Sequence, residues 1–451
     1  MIEPIRRRDV FSEARPLYAT CDAGLEQVLA DELRALGVTE IHPGHRGVGF
    51  VGDREMLWRA NLCLRVANRV LLPVAQFHAP DREALYAGAR AVDWSQWFDL
   101  RKTFAIDASS NRSQIDHTAF ASLVVKDALC DRFREEEDRR PSVDKRHPDV
   151  PINVRLDRDT CVISLDSSGP RLHRRGYRTE AGLAPLKETL AAGILRLAGW
   201  TPDVPLLDPM CGAGTFLLEA AMMARGLPPG LARVGGEGFA FTHWRAHRQA
   251  AFERLVEDLE DAAEDAAPAP IVGSDLDPDV LDVALRNAQR CGVESDVTLM
   301  RRTLGEATPP VAGRPGVLVI NPPYGRRLGT PGSLDGLYST LGFALKRRFA
   351  GWTAWVLVGE GAPVGRIGLR PTAKVPLRNG PIECTLLKYD LFEGKAPETP
   401  SRERGARPDQ RGARPDQRGR SPARGDGPQR GPSSGGPPRG PKPGGPGRRG
   451  G

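Results

Sequence analysis

The chain has 451 residues, of which 40% are hydrophobic and 27% charged, and this length is typical of two or three domains with cores of their own. Its net charge of +7 arises in residues 401–451, which hold 13 basic and four acidic side chains, so residues 1–400 carry about −2 and do not form a uniformly basic nucleic-acid-binding fold. No apolar segment approaches the roughly 20 residues of a membrane helix, and the charged first 15 residues lack the apolar core of a secretory signal, so we expect a cytoplasmic protein.

Residues 16–175 show the short helical and strand patterns of two small α+β units. Apolar residues between Leu25 and Leu36 recur on one face of a predicted helix, with Asp22 as its N-cap and Gly37 after its end. Further patterns predict a strand at 47–51, a helix at 118–133, and two strands at 152–156 and 162–165.

Residues 180–400 alternate short apolar strands with helices, which predicts an α/β fold whose mostly parallel sheet has helices on both faces. The dipeptide Asn379-Gly380 separates two strand patterns, at 373–378 and 382–389, and indicates a closing antiparallel hairpin. About forty residues between Gly226 and Pro270 form an insertion. The parallel strands are predicted at Pro205–Leu207, Ile271–Ser274, Val297–Met300, Val317–Ile320 and Ala354–Val358.

The tail, residues 396–451, is rich in Gly, Pro and Arg and contains the sequence RGARPDQ twice, at 404–410 and 411–417. Because it has too few apolar residues to form a core, we expect it to be disordered. It is interpreted either as a solubilising extension or as an arm that tethers RNA.

Three motifs follow predicted parallel strands. The first runs from Asp208 through Gly212 and Gly214 into a helix, and this acid and glycine turn suit a nucleotide-like ligand with a cationic amino-acid part, such as S-adenosylmethionine. The motif is not GxGxxG and has no GKT or GKS, so it argues against NAD and ATP as the ligands. A purely structural turn is the alternative.

The second motif places Asp275 and Asp277 after the next strand, where a carboxylate can accept hydrogen bonds from both hydroxyls of a ribose. Asp275 is the better candidate, because Asp277 precedes Pro278 at the start of a helix and has the position of an N-cap.

The third motif, Asn321-Pro322-Pro323-Tyr324, follows the buried strand pattern 317–320. The Asn321 side-chain oxygen and the Pro322 carbonyl can accept both hydrogens of a planar exocyclic amine, and the Tyr324 ring offers a stacking surface for a purine. A proline-rich turn without such a function is the alternative.

No nucleophile or metal cluster accompanies these motifs. The seven cysteines are scattered without a CxxC pair, so we expect no metal and no disulfide framework. Cys211 lies inside the glycine turn and is interpreted as a packing residue, and Cys291 and Cys384 resemble small buried apolar residues.

Together the motifs resemble the THUMP-domain class I RNA methyltransferases, above all the N-terminal half of the bacterial 23S rRNA guanine-N2 methyltransferases. The resemblance covers about residues 16–395 and is most specific at Asp208–Glu219, Gly273–Pro278, Asn321–Gly329 and the junction Leu172–Glu188. It implies a ferredoxin-like unit at 16–75, a THUMP domain at 76–175 and a Rossmann-like class I methyltransferase domain at 176–395.

The resemblance also implies the roles of individual residues. S-adenosylmethionine is expected to be bound by Asp208, Gly212, Gly214 and Asp275. The guanine amine is expected at Asn321, Pro322, Pro323 and Tyr324. The RNA is expected to contact Arg171, Arg174, Arg175 and Arg178, for which a solvated surface loop is the alternative.

The sequence departs from the family after the third parallel strand, where an acid or amide usually contacts the adenine of the cofactor. Thr303 and Glu306 are the two candidates in this chain. Some relatives carry a second methyltransferase domain. Because this chain has its Gly/Pro/Arg-rich tail in that place, we expect it to have a single activity. Other functions remain possible from the motifs: a tRNA guanine-N2 methyltransferase, a DNA adenine or protein glutamine methyltransferase that shares the NPPY motif, and an RNA-binding protein with an inactive methyltransferase fold.

Overall fold

The computed structural model describes residues 9–178, 186–323 and 331–392, so the tail predicted at 396–451 lies outside the described residues. Within these ranges, no helix is long and apolar enough to cross a membrane. The strands are β1 (Arg15–Cys21), β2 (Ile41–Gly44), β3 (Gly47–Gly52), β4 (Ala67–His78), β5 (Phe104–Asn111), β6 (Val150–Asp157), β7 (Thr160–Asp166), β8 (Leu206–Asp208), β9 (Ile271–Asp275), β10 (Val297–Arg301), β11 (Val317–Ile320), β12 (Thr353–Gly359), β13 (Ala373–Asn379) and β14 (Ile382–Asp390). The helices are α1 (Glu26–Ala35), α2 (Arg54–Cys63), α3 (Arg82–Arg90), α4 (Thr118–Glu137), α5 (Glu188–Leu197), α6 (Thr215–Ala224), α7 (Leu231–Val234), α8 (Gln249–Asp261), α9 (Pro278–Cys291) and α10 (Pro331–Arg348).

The first sheet contains β1 to β7 in the order β2-β3-β1-β4-β7-β6-β5. All of its neighbouring strands are antiparallel except β5 and β6. The central strand β4 pairs with β1 on one side and with β7 on the other, so both front units share one sheet. Residues 75 and 76, between which we expect a domain boundary, therefore lie inside a single strand.

Most elements predicted in the front region are confirmed, including β3, α4, β6 and β7. The strand β4 was not predicted from the pattern, because Pro73 interrupts it; the structure accommodates this proline at an irregularity of the β4–β7 pairing. The prediction of Asp22 as a helix cap is wrong, because α1 begins after Leu25. The buried Asp22 carboxylate instead accepts a hydrogen bond from Lys187 Nζ at 3.3 Å. Gly37 follows the helix end with a φ of 88°, as predicted.

The second sheet has the order β10-β9-β8-β11-β12-β14-β13. Its first five strands are parallel, and β14 and β13 are antiparallel and joined at Asn379-Gly380, so the predicted α/β sheet with a closing hairpin is confirmed. The strand order reverses between β8 and β11. In an open α/β sheet, ligands bind at such a switch point, beyond the carboxyl ends of the strands.

The insertion between Gly226 and Pro270 connects the two sheets. Its Gly230 N–H donates to the Leu62 carbonyl at the end of α2 at 2.9 Å, and its Arg245 N–H donates to the Trp97 carbonyl at 2.8 Å. The Trp97 and Trp244 rings meet edge to face with centroids 6.1 Å apart. One apolar core includes residues of both sheets, so the insertion forms part of the packing between them.

Candidate active site

The glycine turn lies between the end of β8 and the start of α6. Gly212 has a φ of 51° and Gly214 a φ of 82°, a left-handed conformation that favours glycine. A Cβ on Gly214 would also lie 3.2 Å from the Cβ of Ala284 on α9. The turn therefore requires glycine for its backbone conformation and, at Gly214, for close helix packing.

Two hydrogen bonds fasten the turn to the end of β9. The Cys211 N–H donates to the Ser274 carbonyl at 2.9 Å, and the Gly212 N–H donates to Asp275 Oδ2 at 2.9 Å. The first two sequence motifs are thus adjacent in the structure, as their positions after neighbouring parallel strands predict.

Asp208 is a buried carboxyl group at the end of β8. Asp208 Oδ1 accepts a hydrogen bond from the Met210 N–H at 3.0 Å, and Asp208 is 2% exposed. Burial raises the pKa of Asp208 to about 8, the nearby Asp275 charge acts in the same direction, and the Met210 hydrogen bond opposes both. A cationic group bound beside Asp208 would therefore stabilise its charged carboxylate form, which burial disfavours.

Asp275 and Asp277 have separate structural roles. Asp275 is partly buried, and its two oxygens accept the N–H groups of Gly212 and Asp277, at 2.9 Å and 3.1 Å. Asp277 caps α9 by accepting the Asp279 N–H at 2.9 Å, which confirms its interpretation as an N-cap. Each Asp275 oxygen keeps a second lone pair for a ligand hydroxyl.

Asn321 follows β11, whose four residues are all buried. Its Oδ1 is buried and accepts no hydrogen bond from the described residues. Among the described residues, this oxygen is therefore an open acceptor that the donor of a ligand could use. Since β11 and β8 are parallel neighbours, Asn321 and Asp208 lie at the same edge of the sheet, at the switch point. Tyr324 lies outside the described residues.

Thr303 and Glu306, the two candidates for the adenine contact, bond to each other. Glu306 Oε2 accepts the Thr303 N–H at 3.0 Å and the Thr303 hydroxyl at 2.8 Å, and the backbone bond lowers the pKa of Glu306. The neighbouring Arg302 N–H donates to the Asp275 carbonyl at 3.1 Å, so this loop lies at the ligand edge of the sheet. An adenine contact by either residue stays a proposal.

Cys211 packs beneath the glycine turn. Its thiol is buried, burial raises its pKa far above the usual value, and a Cβ placed on Gly273 would lie 3.1 Å from its Sγ. This environment opposes a nucleophilic thiolate and agrees with a packing role. Among the described residues, no three His, Cys, Asp or Glu side chains are grouped so as to bind a metal ion.

The predicted basic cluster is divided by the fold. The prediction that Arg175 contacts RNA is wrong, because this side chain is 2% exposed and bonds to Glu219 inside the protein. Arg178 is mostly buried and bonds to Glu188 and Thr215. Arg171 and Arg174 are exposed, and Arg174 pairs with Glu237. Only Arg171 and Arg174 therefore remain accessible for RNA.

Sequence reasoning missed Asn287 on α9. Its amide is fully buried and donates to the Ala213 carbonyl at 3.2 Å, which holds the glycine turn from the helix side. The signal was present, because Asn287 lies on the face of α9 that also carries the buried Ala284 and Ala288. An amide on an otherwise apolar helix face requires an internal partner.

These residues fit S-adenosylmethionine. The buried Asp208 suits its cationic part, the partly exposed Asp275 suits ribose hydroxyls, and the turn at Gly212 and Gly214 leaves room for close approach of the ligand. None of these groups forms the phosphate site that a nucleoside triphosphate needs.

Three protein-family models match the chain in succession. Residues 16–71 match the RlmL ferredoxin-like domain, residues 79–166 the THUMP domain, and residues 175–388 the RMKL-like methyltransferase domain. The last match contains the glycine turn, Asp275 and Asn321.

Two relatives show the extent of the similarity. A protein of Synechocystis, named as an RNA methyltransferase, is 42% identical over 378 residues, which cover 84% of this chain and 97% of that protein. A ribosomal RNA large subunit methyltransferase K/L of Methylococcus capsulatus is 44% identical over 384 residues, covering 84% of this chain and 51% of that protein. The chain thus spans about half the length of the K/L relatives that it matches.

A solved structure of a methyltransferase in complex with SAH, which is S-adenosylmethionine without its methyl group, is also similar. It has a TM-score of 0.76 and 31% identity, and the match covers 85% of this chain and all of that one. The cofactor is S-adenosylmethionine. The chain belongs to the family of class I methyltransferases in which a ferredoxin-like unit and a THUMP domain precede an RMKL-like methyltransferase domain.

Proposed function

We propose that the protein transfers a methyl group from S-adenosylmethionine to the exocyclic N2 amine of a guanine in 23S ribosomal RNA. The observation that carries this proposal is the buried Asn321 Oδ1, which lacks a donor among the described residues at the switch point of the sheet. The K/L relatives are named as methyltransferases of large-subunit ribosomal RNA, and the THUMP match supports an RNA substrate. A ribosomal substrate also supports the cytoplasm as the location.

The side chains of this site act by positioning. Asn321 Oδ1 and the Pro322 carbonyl accept the two hydrogens of the guanine amine, and Pro323 restrains the backbone that carries them. The cofactor would supply an electrophilic methyl group and leave as S-adenosylhomocysteine, and the methylated amine would release one proton to water. Holding the amine nitrogen in line with that methyl group provides most of the acceleration, because the reaction becomes effectively unimolecular.

The substrate base has to leave its helix to reach Asn321. A paired base is not accessible to an active site, so we infer that the target guanine is flipped out of its stack. In this proposal, the Tyr324 ring stacks on the flipped base. The proposal keeps Asp208, Gly212, Gly214 and Asp275 as the cofactor site.

The alternative functions differ in substrate. A tRNA guanine-N2 methyltransferase would use the same site, since THUMP domains are not restricted to ribosomal RNA. DNA adenine and protein glutamine methyltransferases share the Asn-Pro-Pro-Tyr motif. The ferredoxin-like and THUMP units at the front of this chain argue against both of these functions. Asp208, Asp275 and Asn321 lie together at one edge of the sheet. This grouping argues against an RNA-binding protein with an inactive methyltransferase fold.

The test is methylation of unmodified ribosomal RNA and tRNA transcripts with tritiated cofactor, followed by nucleoside analysis. We expect N2-methylguanosine in ribosomal RNA. Asn321→Ala should lower the rate about 10²–10³-fold with nearly unchanged cofactor affinity, because it removes one positioned hydrogen-bonding group. The exposed Gln249→Ala on α8, outside the front units and the cofactor edge, serves as the control and should retain full activity.

Inosine at the target position separates guanine N2 from other acceptors, because inosine lacks the exocyclic amine. RNA with this substitution should bind and accept no methyl group. Methylated adenine in the product, or full activity of Asn321→Ala, would contradict the proposal.

A further inference from the structure

Arg178 joins the first turns of α5 and α6. Its Nη1 donates to the Leu186 carbonyl at 3.1 Å and lies 3.1 Å from Glu188 Oε1 at the start of α5. Its Nη2 donates to the hydroxyl of Thr215 at the start of α6. The Arg178 side chain is 14% exposed and that of Glu188 is 4% exposed. The guanidinium therefore bonds within the protein and is not part of an exposed basic surface.

Thr215, the partner of Arg178, directly follows the glycine turn. It is the first residue of α6, and the N-cap before it is Gly214, which has no side chain to cap the helix. Glycine also has more backbone freedom than any other residue, so the start of α6 lacks the local restraint that a capping side chain would provide. The bond from Arg178 restrains this position from outside the turn.

Ala213, on the other side of that glycine, is held from α9. Its carbonyl accepts a hydrogen bond from Asn287 Nδ2 at 3.2 Å. Arg290 Nη1 in turn donates to Asn287 Oδ1 at 3.2 Å and to the Tyr177 carbonyl at 3.4 Å. Tyr177 is the residue before Arg178. Both neighbours of the second glycine in the turn are thus connected by hydrogen bonds to the same two residues of the junction.

We propose that Arg178 is a positioning residue for S-adenosylmethionine, because its bond to Thr215 keeps the glycine turn in the conformation that receives the cofactor. A turn with glycine at positions 212 and 214 has access to several backbone conformations, and ligand binding has to select one of them. Restraining the turn beforehand lowers the entropic cost of binding, so the affinity rises without requiring a contact between Arg178 and the cofactor. This inference is independent of which base is methylated.

The test compares Arg178→Met with Arg225→Met in the full chain. Arg225 follows the opposite end of α6, about 15 Å away along this ten-residue helix. Its environment is similar: the side chain is 19% exposed, pairs with the buried Asp296 at 3.7 Å and donates to two backbone carbonyls at 2.7 Å. Both variants should lower the melting temperature. Isothermal calorimetry below both melting temperatures should show S-adenosylmethionine binding weakened about tenfold in Arg178→Met and less than about twofold in Arg225→Met.

Two variants of Thr215 test the route by which Arg178 acts. Thr215→Val removes the acceptor hydroxyl at nearly constant volume and should weaken cofactor binding about three- to tenfold, whereas Thr215→Ser keeps the hydroxyl and should restore binding. In the double variant of Arg178→Met and Thr215→Val, the loss should not exceed that of Arg178→Met alone, because both changes break the same bond. The Thr215 pair also decides the question if Arg178→Met does not fold.

The outcomes separate a positioning role from a purely structural one. If the two arginine variants bind the cofactor equally well, or if Thr215→Val binds it as tightly as the unmodified protein, the inference is overturned even when guanine methylation is observed. If the loss of affinity is confined to Arg178→Met and Thr215→Val, the inference stands, whichever base is methylated.

Discussion

Arg175 and Glu219 form a fully buried ion pair, with 3.2 Å between Arg175 Nε and Glu219 Oε1. Arg175 lies in the segment that leaves the first sheet, and Glu219 lies on α6, the helix that begins at the glycine turn. The Arg175 guanidinium also donates to the Leu172 carbonyl at 2.9 Å and to the Arg65 carbonyl, and the Tyr177 hydroxyl donates to Glu219 Oε1 at 3.4 Å. The pair thus joins the THUMP side of the chain to the helix of the cofactor site.

Loss of one partner of this pair should be strongly destabilising. Glu219→Ala leaves the Arg175 charge buried without a counterion, so we expect the free energy of unfolding to fall by about 3–5 kcal/mol. Arg174→Ala is the control, because its partner Glu237 is at the surface and such pairs contribute less than about 1 kcal/mol. Urea denaturation measures both; equal small losses would show that the pair contributes little.

Asp208 should make stability depend on pH. Its pKa is about 8 in the folded protein and near 4 in the unfolded chain, so between these values the folded state binds more protons. The free energy of unfolding should therefore decrease as pH rises from about 4 to about 8, by up to about 1.4 kcal/mol per pH unit. In Asp208→Asn, this component should be absent. Denaturation of both proteins without cofactor at pH 5 to 8 checks this, and parallel profiles would contradict the buried, protonated carboxyl.

Asp275→Ala should weaken S-adenosylmethionine binding by about 1.5–3 kcal/mol, the size of lost charged hydrogen bonds. The matched control is Asp277→Ala, two residues away, which removes only the cap of α9 and should cost about 1 kcal/mol of stability with little change in affinity. Isothermal calorimetry distinguishes the two. Unchanged affinity in Asp275→Ala would remove Asp275 from the cofactor site.

Two glycines of the insertion test how closely it contacts α2. A Cβ on Gly230 would lie 2.8 Å from the Leu62 Cα and 2.9 Å from the Asn61 carbonyl oxygen, so Gly230→Ala should lower stability by about 1–3 kcal/mol. Gly235 has an ordinary φ of −90° and no atom within 4 Å of such a Cβ, so Gly235→Ala should be neutral or slightly stabilising. Equal melting temperatures of the two variants would show that the insertion is not packed on α2.

The sequence by itself determined the second sheet and the place of its ligand edge. Strand β11 has the predicted bounds, and the hairpin turn is at Asn379-Gly380, because short apolar runs and turn dipeptides act over a few neighbouring residues. Once the strands are known to be parallel, their carboxyl ends lie at one edge. The proximity of Asp208, Asp275 and Asn321 therefore follows from their positions in the chain.

Only the tertiary structure decided which basic side chains are accessible. Arg171 and Arg175 are four residues apart and look alike in the sequence, but Arg171 is exposed and Arg175 is buried against Glu219. The same limit applies to β4, whose place between β1 and β7 depends on pairing with strands far away in the chain. The physical reason is that a buried charge or a central strand is stabilised by partners from distant segments, and local periodicity carries no information about those partners.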